Sequence, residues 1–372
     1  MTFPRQFVLP AALLLSLATV PMFAEPRGND SDQVGPDRPI QVNCTRGDSI
    51  QQALDRFPER SEQFTIEISG FCQEKLVISR KVILRGTDRN TDGITSPADL
   101  GTATATINVH GVTGFGTKGS EMVRLEHLSI TGSPGLAVTV NTAQLGLTDV
   151  TISQNGNHGL LAFAGGSVYA DDVTFSDNGG AGIFAVAGPI RCTNCQITGN
   201  NPSGGPGVIA GSGGSVQLFT STITGRTGVQ ANGGDVLIIG GSIAVTTRAV
   251  IALAGRFHFQ NDVQVTGGII CGLQSYIDSR RGAGTMGLHQ LSNAGVSNQI
   301  LNGCFLLAGP GTTVLTGQTV VGAGAYVGTE GPPNATTLTF GSLGCSNGGK
   351  VTTTGGTIFV GTVPGVPVGC RP

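Results

Sequence analysis

The acidic loop between residues 86 and 104 has the residue types of a calcium site. Asp88, Asn90 and Asp92 alternate ahead of a glycine, and Asp99 stands at the twelfth position counted from Asp88. Calcium prefers hard oxygen ligands, and a glycine at the sixth position permits the sharp turn that gathers alternating side chains. Asp99 has a shorter arm than the glutamate usual at its position. The sequence predicts a Ca²⁺ site at Asp88, Asn90, Asp92 and Asp99, with a solvated Asp/Asn/Gly turn as the alternative.

The eight cysteines are the second set of reactive side chains. An even number in a chain with features of an exported protein favours disulfides. A redox role for Cys192-Thr-Asn-Cys195 requires a βαβ setting that the sequence does not predict, and zinc requires two more ligands. The expected pairs are Cys44 with Cys72, Cys271 with Cys304, Cys345 with Cys370, and a buried pair of Cys192 and Cys195, bridged or free.

An internal repeat runs between Val123 and Thr266 and sets the framework of the chain. Apolar side chains recur at separations of 22, 23, 22, 26, 20 and 22 residues. That first column contains Ile130, Ile152, Phe175, Ile197, Ile223, Ile243 and Val265. A second apolar column contains Leu136, Leu160, Ile183, Val208, Val229 and Val250. A third column is glycine at 166, 188, 214, 234 and 255, so three columns keep one register.

Apolar residues alternate inside each unit, as in Leu145-x-Leu147 and Val216-x-Leu218. Period two is typical of strands, and three short strands in about 22 residues predict a parallel β-helix with coils stacked at roughly 4.8 Å. Asn155, Asn178 and Asn200 recur three residues after their apolar anchors, which predicts a structural ladder of stacked side chains. A turn column contains His127, Asp149, Asp172, Asn194, Thr220, Gly240 and Asp262, and small polar residues at such corners accept left-handed backbone.

The start of the repeat resembles a known family. The segment 48–57 (DSIQQALDRF) predicts an amphipathic capping helix, with Ser49 or Asp48 as its N-cap. It precedes a Gly-x-x-x-Glu turn at Gly70 and Glu74 and two strands that end at Gly86. This order is similar to the N-terminal cap and first coil of the pectin-lyase-like right-handed parallel β-helix superfamily, over about residues 48–270. The resemblance implies the fold, whereas the superfamily contains lyases, hydrolases, epimerases, adhesins and inert relatives.

No catalytic residue transfers from that resemblance. The superfamily's lyases combine calcium-binding acids with a basic residue, and its hydrolases use three aspartates followed by Gly-His-Gly and Arg-x-Lys. Asp171-Asp172 and Asn157-His158-Gly159 match these patterns only in part. His127 and Asp149 are expected on adjacent coils within about 5 Å, near the range of acid/base chemistry. Turn structure is the favoured interpretation of that pair, with catalysis as the alternative.

One outer face of the repeat is expected to be mostly apolar. Side chains beside the second column should point outward, namely those of Leu161, Phe163, Phe184, Val186, Ile209, Gln230, Asn232, Ile251 and Leu253. An exposed apolar strip marks an interface or is covered by another segment. We expect the C-terminal hundred residues, or a second subunit through self-association, to cover it. With no Trp and only three Tyr, the composition offers little aromatic surface for sugar stacking.

The remaining segments set the domain organisation. Residues 1–24 combine Arg5 with an apolar stretch too short to span a bilayer, which predicts a signal peptide and a secreted or periplasmic protein. Residues 25–43 are polar and predict a disordered leader. Residues 44–270 form the β-helix, with a protruding loop expected near Tyr276–Arg281. Residues 271–372 form irregular coils or a β-rich cap.

These observations favour a secreted, all-β, single-domain protein. The expected function is binding of a polysaccharide, a protein or a cell-surface component along an elongated surface. The alternatives are a polysaccharide lyase, hydrolase or epimerase with an atypical active site, and a structural or adhesive surface protein. The net charge of −2 gives no indication of nucleic acid. No later stretch predicts a transmembrane segment, and no cofactor besides Ca²⁺ is expected.

Overall fold

Three parallel β-sheets, one strand from each per coil, wind into a β-helix of about 12 turns. The fold is nearly all β and 4% helical, which confirms the predicted fold class. The computed structural model describes residues 38–56, 63–112, 122–261, 263–279, 288–292, 298–301, 303–308, 311–322, 324–330, 336–345, 349–354, 356–360, 363–364 and 370. The predicted signal peptide, most of the predicted leader, Phe57, Asp262, Arg280 and Arg281 lie outside these ranges.

Sheet A pairs one strand per coil along the β-helix, with all its pairs parallel. Its own strands are β1 (Ile40–Asn43), β2 (Phe64–Ser69), β5 (Val82–Arg85), β12 (Ser167–Asp171), β15 (Pro189–Thr193), β18 (Ser215–Phe219), β21 (Asp235–Ile239), β23 (Arg256–Gln260), β25 (Tyr276–Asp278), β28 (Phe305–Ala308), β30 (Tyr326–Glu330) and β32 (Lys350–Thr354). Two longer strands turn a corner and serve sheets A and B, namely β8 (Val123–Thr131) and β10 (Gln144–Ser153).

Sheets B and C follow along each coil. Sheet B contains β3 (Phe71–Gln73), β6 (Gly93–Thr95), β13 (Thr174–Ser176), β16 (Gln196–Thr198), β19 (Thr222–Gly225), β26 (Leu288–Ser292) and β33 (Gly356–Val360). Sheet C contains β4 (Leu76–Ile78), β7 (Ala105–His110), β9 (Leu136–Asn141), β11 (Leu160–Phe163), β14 (Ile183–Val186), β17 (Pro206–Ala210), β20 (Thr227–Asn232) and β27 (Asn298–Ile300). Sheets B and C share β22 (Ser242–Leu253), β24 (Gln264–Gly272), β29 (Gly311–Val321) and β31 (Thr336–Cys345), and β34 (Val363–Pro364) runs antiparallel to β33.

The core consists of the inward columns of these sheets. Ile152 pairs in register with Ile130 above and Phe175 below, and Phe175 pairs with Ile197, as the repeat predicts. All four side chains are fully buried. The second column differs at its first member, because Leu160 pairs with Val138 and not with Leu136. The predicted alignment was wrong there by two residues, which preserves the inward face since strand side chains alternate.

An asparagine ladder crosses three coils inside the β-helix. The Asn155 side-chain amide donates to Asn178 Oδ1 at 2.8 Å, and the Asn178 amide donates to Asn200 Oδ1 at 2.8 Å. Each of these side chains also bonds a carbonyl of the preceding coil, Asn178 to that of Ile152 at 3.1 Å. All three asparagines are buried. The predicted structural role is confirmed.

Helix α1 (Ile50–Arg56) covers the first coil, and its N-terminus is capped from that coil. The Glu74 carboxylate accepts hydrogen bonds from the amides of Ile50 at 2.7 Å and Gln51 at 3.1 Å. Ser49 acts as the N-cap, with its hydroxyl accepting from the Gln52 amide at 3.1 Å. A 3₁₀ turn (Cys44–Arg46) precedes it. The glutamate of the Gly-x-x-x-Glu turn therefore caps the helix across chain segments, because helix N-termini leave amides unsatisfied.

The predicted leader ends too late in the sequence. Residues Ile40–Asn43 form β1, which pairs with Ile66–Ser69 and adds a further rung to sheet A. The prediction of disorder up to residue 43 is therefore wrong for this strand. Val42 alternates into the core and is buried, which supplies the apolar contact that the polar composition conceals.

The coils continue beyond residue 270 without a break. Strand β24 spans that boundary, and β25, β28, β30 and β32 extend sheet A in parallel register. The chain around residue 270 belongs to one compact unit. Of the two predictions for residues 271–372, further coils are found. The loop expected from Tyr276 was wrong for Tyr276–Asp278, which form β25.

The expected cysteine pairs are all disulfide-bonded. Cys44–Cys72 ties the segment before α1 to the first coil, and Cys192–Cys195 bridges a corner with both sulfurs buried. Cys271–Cys304 and Cys345–Cys370 follow, with Cα–Cα distances of 5.7 and 5.0 Å. The open question at Cys192 and Cys195 is resolved in favour of the bridge.

Replacing the central asparagine, Asn178→Ala, should lower the free energy of unfolding by about 3 kcal/mol, since it leaves buried partners on both neighbouring coils unsatisfied. Urea unfolding followed by circular dichroism measures the change. Asn157→Ala, at an exposed position on the preceding coil, is the matched control and should change stability by less than about 0.5 kcal/mol. Equal effects of the two substitutions would contradict a stabilising ladder.

Candidate functional site

The acidic loop folds around the carboxylate of Asp92. Its two oxygens accept hydrogen bonds from the amides of Gly70 (2.9 Å), Thr87 (2.7 Å) and Asp88 (3.2 Å), and from the Thr87 hydroxyl (2.6 Å). Asp92 is buried. Burial raises the pKa of Asp92, but the Thr87 hydroxyl and the three amides lower it by more, so the pKa lies below its ordinary value of 3.8. Asp92 therefore stabilises the turn as a carboxylate.

The other predicted calcium ligands are only partly brought together. Asp88 Oδ1 accepts from the backbone and side-chain amides of Asn90, both at 2.8 Å, in an Asx turn. Asp99 is exposed on a later turn, after strand β6. Among the described residues, no group of three or more His, Cys, Asp or Glu side chains is placed to hold a metal ion. The turn's own hydrogen bonds account for the alternation of Asp88, Asn90 and Asp92, and calcium binding stays a prediction.

His127 and Asp149 form a hydrogen-bonded pair at the corner between sheets A and B. His127 Nδ1 lies 2.8 Å from Asp149 Oδ2, and the Arg89 guanidinium lies 2.8 Å from Asp149 Oδ1. The predicted proximity of the pair is confirmed. Both residues have positive φ, 54° and 52°, as the corner requires. Asp149 links the corner to the acidic loop, and the His127 and Asp149 side chains remain 44% and 31% exposed.

The outer face of sheet A contains a groove in its N-terminal half. Its volume is about 410 Å³, and Arg124, Tyr169, Asp171 and Arg191 line it. Tyr169 is 49% exposed. The Arg191 guanidinium stacks over the Phe219 ring at 4.3 Å, which fixes its position while its N–H edge stays available. We call this feature the arginine groove.

The C-terminal half of the same face contains a row of aromatic rings. Tyr276, Phe305 and Tyr326 are cross-strand partners at the first outward position of β25, β28 and β30. The same row continues to exposed Arg256 on one side and exposed Lys350 on the other. Phe305 is 46% exposed, and its ring centroid lies 5.9 Å from that of Tyr326. We call Tyr276, Phe305 and Tyr326 the aromatic column.

Tyr326 lies flat against the sheet because its neighbour is a glycine. A Cβ added to Gly328 would meet the Tyr326 ring and hydroxyl at 2.6 to 2.9 Å, with no backbone atom among its three nearest neighbours. The missing side chain thus makes room for the ring to fold along the strand. A ring lying in this way offers a face, and not an edge, to a ligand above the sheet.

Comparison with known families matches this architecture. Residues 101–225 match the family model described as right handed beta helix region. The chain has the pectin-lyase-like right-handed β-helix fold. No curated protein and no solved structure gives a significant match to the chain. The site on this β-helix is therefore interpreted from its own geometry.

Sequence reasoning missed the aromatic column. The sequence repeat is regular only as far as Thr266, and Arg256 and the three rings of its row, Tyr276, Phe305 and Tyr326, are separated by 20, 29 and 21 residues. The coil before Phe305 is longer, which hides the column from a search at a fixed period near 22. The alternation of Tyr276 with buried Ile277, and of Phe305 with buried Leu306, was a signal that could have revealed it.

The predicted apolar ridge lies on the outer face of sheet C. Leu161 pairs with Phe184, Phe184 with Ile209, and Gln230 with Ile251, all at outward positions. The ridge side chains are half-buried, except that of Asn232, which is exposed. The described C-terminal strands stack as further coils, so the prediction that they cover the ridge was wrong for those strands. Self-association through the ridge stays a prediction.

The pKa of His158 lies below its ordinary value of 6.5, because burial disfavours the charged ring. A hydrogen bond from the Ala181 amide to Nδ1, at 2.8 Å, raises the pKa by less than burial lowers it. This bond needs Nδ1 as an acceptor. His158 therefore serves the fold as a neutral ring beside Phe184, with ring centroids 5.0 Å apart.

Replacing Asp92 by Asn should lower the free energy of unfolding by about 2 kcal/mol at pH 7, because charge-assisted hydrogen bonds are lost. The unfolded chain protonates Asp92 at a higher pH than the folded chain does. The wild-type advantage is therefore complete above about pH 4 and declines as the pH falls through the lowered pKa. Urea unfolding from pH 7 to about pH 2 measures this, with exposed Asp88→Asn as control. Parallel pH profiles for wild type and Asp92→Asn would contradict the assignment.

Calcium titration of the wild type, Asp88→Asn and Asp99→Asn tests the predicted site. If Ca²⁺ binds, the wild-type unfolding temperature rises on addition of CaCl₂ and falls again with EDTA, and Asp88→Asn and Asp99→Asn abolish the rise. MgCl₂ at equal ionic strength is the control, because Mg²⁺ demands octahedral geometry and retains its waters. An unchanged wild-type unfolding temperature would leave only the hydrogen-bonded turn.

Proposed function

We propose that this β-helix is exported and binds a glycan chain along the outer face of sheet A. The single observation that carries the proposal is the placement of the chain's aromatic hydroxyls. All three tyrosines, Tyr169, Tyr276 and Tyr326, point outward from this one sheet. An aromatic ring with a polar tip suits a ligand that is apolar on its ring faces and hydroxylated at its edges.

The length of this face fits an extended ligand. Tyr169 and Tyr326 lie seven rungs apart in sheet A, which corresponds to about 34 Å at the usual strand spacing. Rigid, regularly paired strands hold the rings in place, so little conformational freedom is lost on binding. The arginine groove and the aromatic column then act as two contact points for one chain, with Arg256 and Lys350 supplying hydrogen-bond donors beside the rings.

Export is supported by the four disulfides, which persist in oxidising compartments. No described helix is long and apolar enough to cross a membrane. The apolar start of the sequence supports a secretory signal. On the disulfides and this signal, we place the proposed binding outside the cytoplasm, at a cell surface or in a polysaccharide matrix.

Cleavage of the bound glycan is a second candidate function, favoured by the His127–Asp149 pair. Asp149 holds His127 through Nδ1, so the other ring nitrogen can take a proton from a ligand. Incubation with pectin, alginate or glucuronan tests for new unsaturated or reducing ends. Their absence for the wild type, or their persistence in Asp149→Asn, would exclude this pair as the catalytic group.

Gly328→Ala should weaken glycan binding about fivefold, equivalent to roughly 1 kcal/mol, because the added methyl group lifts the Tyr326 ring away from the sheet. Affinity electrophoresis in gels containing pectin, alginate or xylan identifies a retarding polysaccharide, and calorimetry measures the dissociation constant. Gly344→Ala is the matched control, because a Cβ there meets no atom within 4 Å. Tyr326→Ala should lose more affinity than Gly328→Ala.

Two outcomes would contradict the proposal. Migration of the wild type unaffected by every polysaccharide removes glycan binding. Retardation that persists unchanged in both Gly328→Ala and Tyr326→Ala places the binding elsewhere on the molecule.

A further inference from the structure

The corner between sheets C and A is built almost wholly from small residues. Each described coil from β7 to β30 enters the left-handed region there, and most of these positions are Ala or Gly. They include Ala164, Ala187, Gly213, Gly233, Ala254, Gly303 and Gly324. Two coils differ. Thr142 has a φ of 46° at one corner, and Leu273 and Gln274 occupy another with φ of 54° and 59°, so Leu273 is the one large apolar side chain among these described positions. A bulky side chain in this conformation is a backbone outlier.

The left-handed backbone at Leu273 lowers the stability of the unliganded protein, and the exposed leucine side chain gains little burial to compensate. Left-handed backbone brings Cβ close to the following carbonyl, and Leu273 is 56% exposed. The turn is nevertheless held firmly. The Ser275 amide and hydroxyl both donate to the Gly272 carbonyl, and the Cys271–Cys304 disulfide joins this coil to the next. An exposed apolar side chain at a strained but rigid position suggests a contact residue.

The position of Leu273 connects it to the aromatic column. Tyr276, the first ring of that column, follows three residues later as the first outward residue of β25. The corner residue of the preceding coil is Ala254, and Gly303 of the following coil lies beside Gln274. The exposed Leu273 side chain therefore stands next to a small corner residue of the preceding coil, at the edge of the rings. The side chain therefore adds an aliphatic border to the side of the aromatic surface that faces this corner.

We propose that Leu273 selects glycans with a methyl-bearing substituent, an O-acetyl group or the methyl group of a 6-deoxy sugar. This inference rests on the proposed glycan binding and adds its specificity. A sugar ring stacked on the aromatic column presents its substituents sideways, and a methyl group at that edge is removed from water against the leucine side chain. An unsubstituted hydroxyl would lose its hydration there without gaining a partner.

The test compares one polymer in two states. Xylan and pectin are used in their acetylated forms and after deacetylation by an acetyl esterase, which leaves the methyl esters of pectin in place. The wild type should bind the acetylated form about fourfold more tightly, as expected for burial of one methyl group. Leu273→Asn should bind both forms equally, at the wild-type affinity for the deacetylated form. Competition by free L-rhamnose or L-fucose distinguishes a 6-deoxy methyl group from an acetyl group.

Measuring the stability of the same variants distinguishes the loss of a ligand contact from a loss of folding. Asparagine tolerates left-handed backbone, so Leu273→Asn should raise the folded-to-unfolded ratio about fivefold in urea unfolding. Gln274→Asn is the matched control. It relieves the neighbouring left-handed residue but leaves the leucine, so the acetyl preference should persist.

An equal wild-type affinity for both polymer states and no competition by L-rhamnose or L-fucose, with binding still lost in Tyr326→Ala, overturns the role of Leu273 and leaves the proposed function standing. A preference that survives in Leu273→Asn does the same. Binding to neither state of either polymer, together with no retardation by alginate, removes both proposals.

Discussion

In-register stacking of parallel coils is the constraint on which this molecule depends. Each coil leaves its inner apolar side chains and its strand edges unsatisfied until the next coil lies against it. The columns of Ile, Val and Leu satisfy the first need and the parallel hydrogen bonds the second. The Asn155–Asn178–Asn200 ladder meets a third need, since polar groups at a corner between sheets have no strand partner. Because a slip of one residue would turn every column inside out, the register is strongly specified.

Outward side chains are not subject to that constraint, so the features particular to this protein lie on its outer surface. Sheet A presents rings and arginines, whereas the ridge on sheet C is mostly apolar. The same core supports both faces, since inward and outward residues alternate along each strand. This separation explains how a single fold can display unrelated surfaces, and why the fold by itself assigns no ligand.

Most of the architecture was predictable from sequence, because the core repeats. The period near 22 and the Asn ladder follow from patterns that neighbouring coils impose on each other, whereas the capping helix follows from its local amphipathic pattern and the disulfides from the even number of cysteines. The prediction of β1 failed because an isolated strand of four residues leaves no repeat. The aromatic column was missed for a related reason. Its members align only after the lengths of the coils between them are known, and outer residues need not repeat. The acidic loop poses a different difficulty, because the same local motif is compatible with Ca²⁺ ligands and with hydrogen bonds inside the turn.

The disulfides have a mechanical consequence. Cys44–Cys72, Cys271–Cys304 and Cys345–Cys370 span separations of 28, 33 and 25 residues, so each fastens chain segments about one coil apart. Cys192–Cys195 closes a loop within a single coil. No described bridge fastens distant parts of the solenoid. A chain pulled from its ends would therefore peel away coil by coil until it reached a fastened pair, and the tension would rise in steps along its length. Unfolding under tension would pause at each pair of coils that a disulfide joins, and local damage between two such pairs need not spread past either of them.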